Sequence, residues 1–168
     1  SQTAKNGLHR KEGNCGAGHN GLGLDGSRRT LIGLGRIGSR VAKVAAAAGI
    51  QVTAYDPLES DERFEALGVT RSTDLGEAVS EAQIVSIHAP LSSKTRHLVD
   101  SNLIGRMRDG VFIVNTARGG LIDDNALLDA LDSGKVGGAG RDVTEPEPLP
   151  AGPPPLQPAG VLVTPPIP

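Results

Sequence analysis

One glycine pattern constrains this chain more than any other feature. Residues 33–38 read GLGRIG, which is G-x-G-x-x-G, after a run typical of a strand and before a stretch typical of a helix. In that setting the first glycine allows a tight turn, the second lets a diphosphate approach the backbone, and the third lets helix and strand pack closely. Free amides and the positive helix end then hold the anion. Since the chain has 23 glycines, the pattern alone is also compatible with an ordinary glycine-rich turn.

Asp56 favours the first interpretation. It ends the next predicted strand and lies 18 residues after Gly38, near the roughly 20-residue spacing expected of a carboxylate that binds a ribose. Such a carboxylate accepts both hydroxyls of the adenosine ribose and repels a 2′-phosphate. Pro57 and Leu58 follow, with no arginine to receive that phosphate. The sequence therefore predicts NAD rather than NADP, against the alternative that Asp56 is a solvated acid in a turn.

Strand and helix signals alternate through the middle of the chain. Strands are predicted at residues 29–34, 50–55, 83–88, 111–115 and 136–143, and helices at 36–48, 61–67, 74–81 and 125–131. This alternation indicates βαβ units and hence an α/β fold, a doubly wound, Rossmann-like parallel sheet in a three-layer α/β/α arrangement. Asp123 is predicted to cap the last helix and Gly49 and Gly134 to end helices, and the apolar stripe that indicates the first helix is Ile37, Val41, Val44 and Ala48.

Composition narrows the class of protein. With 17 Lys and Arg against 19 Asp and Glu, the net charge of −2 argues against a nucleic acid or an anionic membrane bound through bulk charge. No segment has the eighteen or so apolar residues of a membrane helix. The single cysteine, Cys15, fits a reducing compartment. We therefore expect a cytoplasmic protein.

The two ends of the chain differ from its middle. Residues 1–26 hold seven glycines without apolar periodicity and are predicted to be poorly ordered. Residues 27–168 are predicted to form a single dinucleotide-binding domain. Ten of the 12 prolines lie in its last segment, residues 146–168, which is predicted to be loop with one strand at 161–163.

Four segments together resemble a known family. They are residues 33–38, residues 88–91 (HAPL) with 95–98 (TRHL), residues 115–120 (NTARGG) and residues 142–148 (DVTEPEP). Their order and spacing are similar to those of the D-isomer-specific 2-hydroxyacid dehydrogenases, over about residues 30–164. As a set the motifs are highly specific.

The resemblance implies an NAD cofactor, a 2-hydroxy or 2-oxo acid substrate, no metal site and, since such domains commonly dimerise, a homodimer as a candidate assembly. Arg118 resembles the arginine that grips the substrate carboxylate, Asp142 the acid near the nicotinamide carboxamide, and Glu147 the glutamate that orients a proton-shuttling histidine. The implied catalytic pair is Arg118 and Glu147. The implied cofactor-binding residues are Gly33, Gly35, Arg36, Ile37, Gly38, Asp56, His88, Ala89, Pro90, Thr95, Thr116, Ala117, Arg118 and Asp142.

Simpler interpretations stay open for several of these residues. Arg118 is also compatible with a surface cation at a helix start, and Glu147 with a solvated acid in a loop. His88 is more typical of a packed residue at a strand end than of a proton donor, and His97 of a structural polar residue.

Three features depart from the family pattern. The family's histidine lies in a Thr-Pro-His-Ile segment, whereas residues 164–167 read TPPI, so Pro166 takes its place. The family's substrate domain is formed mainly by sequence before the phosphate loop, and only 32 residues precede Gly33; we therefore expect this chain not to complete the reaction unaided. Arg141 lies within a predicted strand where an aliphatic residue is usual, and a charge buried there without a partner would cost several kcal/mol.

Three hypotheses about function follow. The first is the NAD-binding half of a dehydrogenase. The second is a non-catalytic NAD-binding module that senses or scaffolds, and the third is a remnant that has lost its function. Descent from a dehydrogenase is favoured by the intact glycine pattern, Asp56 and Arg118. Pro166 favours the other two hypotheses for the chain as it stands.

Overall fold

A computed structural model describes residues 26–143 and 161–163 of this chain. The predictions made for residues 1–25, for the loop that contains Glu147 and for Pro166 lie outside these ranges. The strands are β1 (Arg28–Ile32), β2 (Gln51–Tyr55), β3 (Thr70–Arg71), β4 (Ile84–Ile87), β5 (Val111–Asn115), β6 (Val136–Arg141) and β7 (Val161–Val163). The helices are α1 (Arg36–Ala47), α2 (Asp61–Leu67), α3 (Leu75–Ser80), α4 (Ser101–Arg106) and α5 (Asp124–Asp132), with a 3₁₀ turn at Gly119–Leu121.

All seven strands are parallel and form one sheet in the order β3-β2-β1-β4-β5-β6-β7. The order reverses between β1 and β4, as in a doubly wound sheet. Alternate residues of the strands point to opposite faces: Leu31 packs with α1 and α2, whereas Ile32 packs with α3, α4 and α5. The predicted three-layer arrangement is confirmed.

Most predicted elements are present within one or two residues of their expected ends. Asp123 caps α5 by accepting hydrogen bonds from the amides of Asn125 and Ala126 at 3.0 and 3.2 Å. Two elements were not predicted, β3 and α4. β3 has only two residues, too few for periodicity to register. α4 has six, and its start is marked by Asp100, whose carboxylate accepts the Leu103 amide at 2.8 Å.

The apolar stripe from which α1 was predicted lies largely outside the core. Ile37 and Val44 are 60% and 71% exposed, and the buried residues are Gly38, Ser39, Ala42 and Ala45. The phosphate loop brings the start of α1 so close to β1 that only small residues fit between helix and sheet. We call the stripe of Ile37, Val41, Val44 and Ala48 the outer face of α1.

Arg141 ends β6 rather than lying within it, because the strand stops two residues earlier than predicted. Its side chain is only 10% exposed, but Nη1 lies 2.5 Å from Asp124 Oδ1 at the start of α5. Arg141 is therefore a buried charge with a partner, Asp124. Nε and Nη2 are buried and have no hydrogen-bond partner among the residues that the structure describes.

Within residues 26–143 and 161–163, none of the helices combines the length and the apolar character needed to cross a bilayer.

Candidate functional site

The predicted site residues that the structure describes lie along one edge of the sheet. The glycine loop follows β1, Asp56 follows β2, and His88, Ala89 and Pro90 follow β4. Thr116, Ala117 and Arg118 follow β5, and Asp142 follows β6. Because the strands are parallel, their carboxyl ends share this edge, and the crevice between β1 and β4 is where such sheets bind ligands. Glu147 is the one predicted site residue outside the described ranges.

Two glycines of the loop are required by close packing. Gly33 has φ of +98°, and a Cβ there would lie 2.8 Å from the Ala89 nitrogen. A Cβ on Gly38 would lie 2.2 Å from the Gly33 carbonyl oxygen. Gly35 differs, because a Cβ there would meet nothing within 4 Å. The middle glycine therefore borders open space, as access for a diphosphate requires.

The start of α1 offers amide donors to that space. Gly35 is the N-cap and has no side chain to bond the first amides. The first helical hydrogen bond runs from the Ser39 amide to the Gly35 oxygen, at 2.9 Å. The amides of Arg36, Ile37 and Gly38 thus precede the hydrogen-bond ladder of the helix. No acidic residue lies in this first turn, so the donors and the helix dipole suit a diphosphate such as that of NAD.

Asp56 faces the glycine loop. Its Oδ2 accepts the Leu34 amide at 2.8 Å and its Oδ1 accepts the Leu58 amide at 2.9 Å. These two bonds fix the half-buried carboxylate beside the loop, on the side of β2. The ribose-binding role of Asp56 stays a prediction.

The segment after β4 forms the opposite wall of the crevice. The His88 amide donates to the Ile32 oxygen at 2.8 Å, and its Nε2 lies 3.0 Å from Ser86 Oγ. Burial lowers the pKa of His88, so its ring is neutral at pH 7. Thr95 Oγ1 donates to the Pro90 oxygen at 2.6 Å and accepts the Ser92 amide at 2.8 Å. Thr95 therefore shapes this wall through its hydroxyl.

Asn115 is a site residue whose role was not predicted. It is fully buried at the end of β5. Its Nδ2 donates to the Arg118 oxygen at 2.9 Å, its Oδ1 accepts the Ala117 amide at 3.0 Å, and its backbone oxygen accepts the Asp142 amide at 3.1 Å. It thus holds the loop that carries Arg118 next to Asp142. The sequence signal that could have indicated this role is a polar residue at the end of an otherwise apolar strand.

Arg118 itself is exposed at the crevice edge, and its Nη1 donates to the Ala117 oxygen at 2.6 Å. Asp142 is also exposed. Arg118 and Asp142 follow the neighbouring strands β5 and β6. A planar anion in the crevice can therefore bind the guanidinium of Arg118, and a polar group beside that anion can bind the carboxylate of Asp142.

This sheet order, with a glycine loop, a helix start and an acid after β2, defines a dinucleotide-binding domain of the Rossmann type. Residues 3–167 match the family model described as the NAD-binding domain of D-isomer-specific 2-hydroxyacid dehydrogenases. The chain belongs to this family, and its cofactor is NAD.

Similar proteins are dehydrogenases and reductases of greater length. A D-3-phosphoglycerate dehydrogenase of Methanocaldococcus jannaschii is 44% identical over 128 residues, which are 76% of this chain and 24% of that protein. A hydroxypyruvate reductase of Thermotoga maritima is 45% identical over 128 residues, 76% of this chain and 40% of that protein. The D-lactate dehydrogenase of Aquifex aeolicus, solved with NAD and lactic acid, aligns with a TM-score of 0.67 and 38% identity, over 71% of this chain and 35% of that one. The chain thus spans well under half of these relatives.

Proposed function

We propose that this chain binds NAD in the crevice between β1 and β4 and is the cofactor domain of a dehydrogenase acting on a small 2-hydroxy or 2-oxo acid. The observation that carries the proposal is the glycine loop, which leaves space over Gly35 beside the first amides of α1. The carboxylate of Asp56, held beside the same loop, supports binding of the adenosine ribose. NAD, when bound, supplies the exchange of a hydride with the substrate carbon.

We assign the substrate carboxylate to Arg118. A guanidinium presents paired donors that match a planar carboxylate, and Arg118 is exposed at the end of β5. Asn115 orients the backbone on which Arg118 lies. We assign Asp142 to the nicotinamide end, because its amide is bound to the same Asn115.

Proton exchange with the substrate oxygen is the step that the sequence does not support. Pro166 occupies the position of the family's histidine, and proline has no titratable group. Loss of a positioned general acid or base costs about 10² to 10⁴ in rate. Glu147 then has no histidine at that position to orient.

Pro166 is also the observation that favours a second candidate function. A chain that keeps the glycine loop and Asp56 but lacks the proton-transfer residue is suited to a non-catalytic role, in which NAD binding is sensed or serves a scaffold. Cofactor binding is common to both candidate functions.

The test of the shared step is a calorimetric titration of the purified chain with NAD and with NADP. We expect saturable binding of NAD and weaker binding of NADP, because Asp56 accepts ribose hydroxyls and repels a 2′-phosphate. A sample that is folded by circular dichroism and takes up neither nucleotide would overturn the proposal.

We further propose that the chain is located in the cytoplasm, because its single cysteine fits a reducing compartment.

We also propose that the chain forms a homodimer through α1 and α2. On the outer face of α1, Ile37 and Val44 are exposed and Val41 is partly buried against the core. The same helix carries three basic residues, Arg36, Arg40 and Lys43, and no acid. The neighbouring α2 carries Asp61, Glu62 and Glu65. A two-fold axis between these helices would place the basic helix of each copy against the acidic helix of the other.

Val44→Glu is expected to convert such a dimer into a monomer, because Val44 is 71% exposed at the centre of the outer face and a carboxylate there would be desolvated in the contact. The measurement is molar mass by light scattering after size-exclusion chromatography. Leu128→Glu is the matched control, since Leu128 is 41% exposed on α5, on the opposite face of the sheet. A monomeric wild-type chain, or a dimer that survives Val44→Glu, would contradict this interface.

A further inference from the structure

Arg63 links α2 to the start of α1. Its Nη2 donates to Ser39 Oγ at 2.9 Å, and Ser39 Oγ donates to the Leu34 oxygen at 2.6 Å. Ser39 is buried, whereas the side chain of Arg63 is exposed. The guanidinium therefore lies at the glycine loop with part of its surface open to solvent.

The same loop residue connects Arg63 with Asp56. The Leu34 oxygen receives the bond from Ser39, and the Leu34 amide donates to Asp56 Oδ2 at 2.8 Å. Three consecutive hydrogen bonds thus join the guanidinium to the carboxylate through the backbone of one residue. Arg63 is the only basic residue within α2, and it places a positive charge at the end of the crevice where Asp56 lies.

We propose that Arg63 is a specificity residue that binds the 2′-phosphate of NADP and so narrows the preference for NAD that Asp56 sets. The inference rests on the proposed nucleotide site. A guanidinium has five N–H donors, and within the described part of the chain the only partner of Arg63 is Ser39. Its remaining donors are available to a phosphate at the adenosine ribose.

The two side chains act in opposite directions on a 2′-phosphate. In NADP the 2′-hydroxyl is replaced by a phosphate, so Asp56 loses the hydrogen bond that this hydroxyl would donate, and its carboxylate repels the added negative charge. Arg63 attracts that charge and donates charge-assisted hydrogen bonds to it. The 2′-hydroxyl of NAD is bound by the carboxylate and gains little from the guanidinium. Arg63 therefore affects NADP far more than it affects NAD.

The sequence did not point to Arg63, because the expected place for a phosphate-binding arginine was directly after Asp56. Pro57 and Leu58 occupy that place. Arg63 lies seven residues after Asp56, and the loop before α2 returns the chain toward the glycine loop.

The experiment is a calorimetric titration of NAD and NADP into the wild-type chain and into Arg63→Gln. We expect the substitution to raise the Kd for NADP about tenfold, the usual effect of one charge-assisted hydrogen bond, and to change the Kd for NAD less than about twofold. Arg63→Lys, which keeps the charge but not the fork, should lie between the two. Arg40→Gln is the matched control, because Arg40 is exposed on α1 and its loss lowers the net charge equally. It should leave the ratio of the two constants unchanged.

The outcomes separate this inference from the proposed function. If the wild-type chain binds no NAD, the proposed site is wrong. If NAD binds and Arg63→Gln raises both constants together, Arg63 only braces the loop through Ser39 and the inference is overturned. It is equally overturned if the variant changes neither constant, or if the wild-type chain takes up NAD but no NADP.

Discussion

Gly35→Asp is expected to raise the Kd for NAD at least about a hundredfold, roughly 3 kcal/mol, while the free energy of unfolding stays unchanged or rises slightly. The new carboxylate would enter the open space beside the first turn of α1. It would there accept the amides that the diphosphate needs and would repel that diphosphate. Binding should therefore be lost by both competition and charge.

Folding should tolerate the same change. The φ of Gly35 is −63° and its conformation is extended, which an aspartate adopts readily. Aspartate is also a preferred N-cap residue, and an acid at this end interacts favourably with the helix dipole. Gly38 would not separate the two effects, because a Cβ there lies 2.2 Å from a backbone oxygen and the loop itself would have to move.

The measurements are calorimetry for NAD and urea unfolding for stability. Gly105→Asp is the matched control, since Gly105 is an exposed glycine on α4 whose Cβ would also meet nothing within 4 Å. It adds the same charge far from the glycine loop and should leave NAD affinity unchanged. Undiminished NAD binding by Gly35→Asp would mean that the nucleotide does not use the start of α1.

The glycine loop and Asp56 could be predicted because each depends on local geometry. The loop needs certain backbone conformations over six residues, and the acid follows from the length of one helix and one strand. Strand and helix alternation likewise predicted a parallel, doubly wound sheet, because strands joined through helices form right-handed βαβ units. The glycine loop and Asp56 lie within residues 33–56, whereas the alternation extends through the middle of the chain.

Other features depend on which elements come to lie together, and the sequence does not show that. The buried face of α1 follows its small residues, Ala42 and Ala45, because the phosphate loop sets the distance between helix and sheet; an apolar stripe read from periodicity alone gives the opposite face. Arg63 reaches the site from the next helix. Asn115 could be recognised as polar within an apolar strand, but its three loop contacts depend on the fold around it.

Arg141 is a further feature that the sequence predicts only in part, and this one concerns stability. The sequence correctly marks it as a charge in an apolar setting, but its partner, Asp124, lies 17 residues earlier and meets it only because α5 packs on β6. The pair relieves part of the cost of burial. It does not satisfy Nε and Nη2, which are buried without partners among the described residues.

Opposite effects on stability are therefore expected from removing either member of this pair. Asp124→Ala should lower the free energy of unfolding by about 2–3 kcal/mol, because it leaves a guanidinium that is only 10% exposed without its counter-charge. This expected loss of stability is smaller than that for a fully buried ion pair, because Asp124 is 47% exposed. Arg141→Leu should instead raise the free energy of unfolding by about 1–2 kcal/mol, since it replaces unsatisfied donors with an apolar side chain.

Urea unfolding of the two single variants and the double variant measures the coupling directly. Asp129→Ala is the matched control, because Asp129 is an exposed acid on α5, and it should change stability by less than about 0.5 kcal/mol. Once Arg141 is leucine, the buried charge is gone, so Asp124→Ala should cost no more than Asp129→Ala. The ion pair does not offset the cost of burying Arg141 if Arg141→Leu proves destabilising, or if Asp124→Ala lowers the free energy of unfolding equally in both backgrounds.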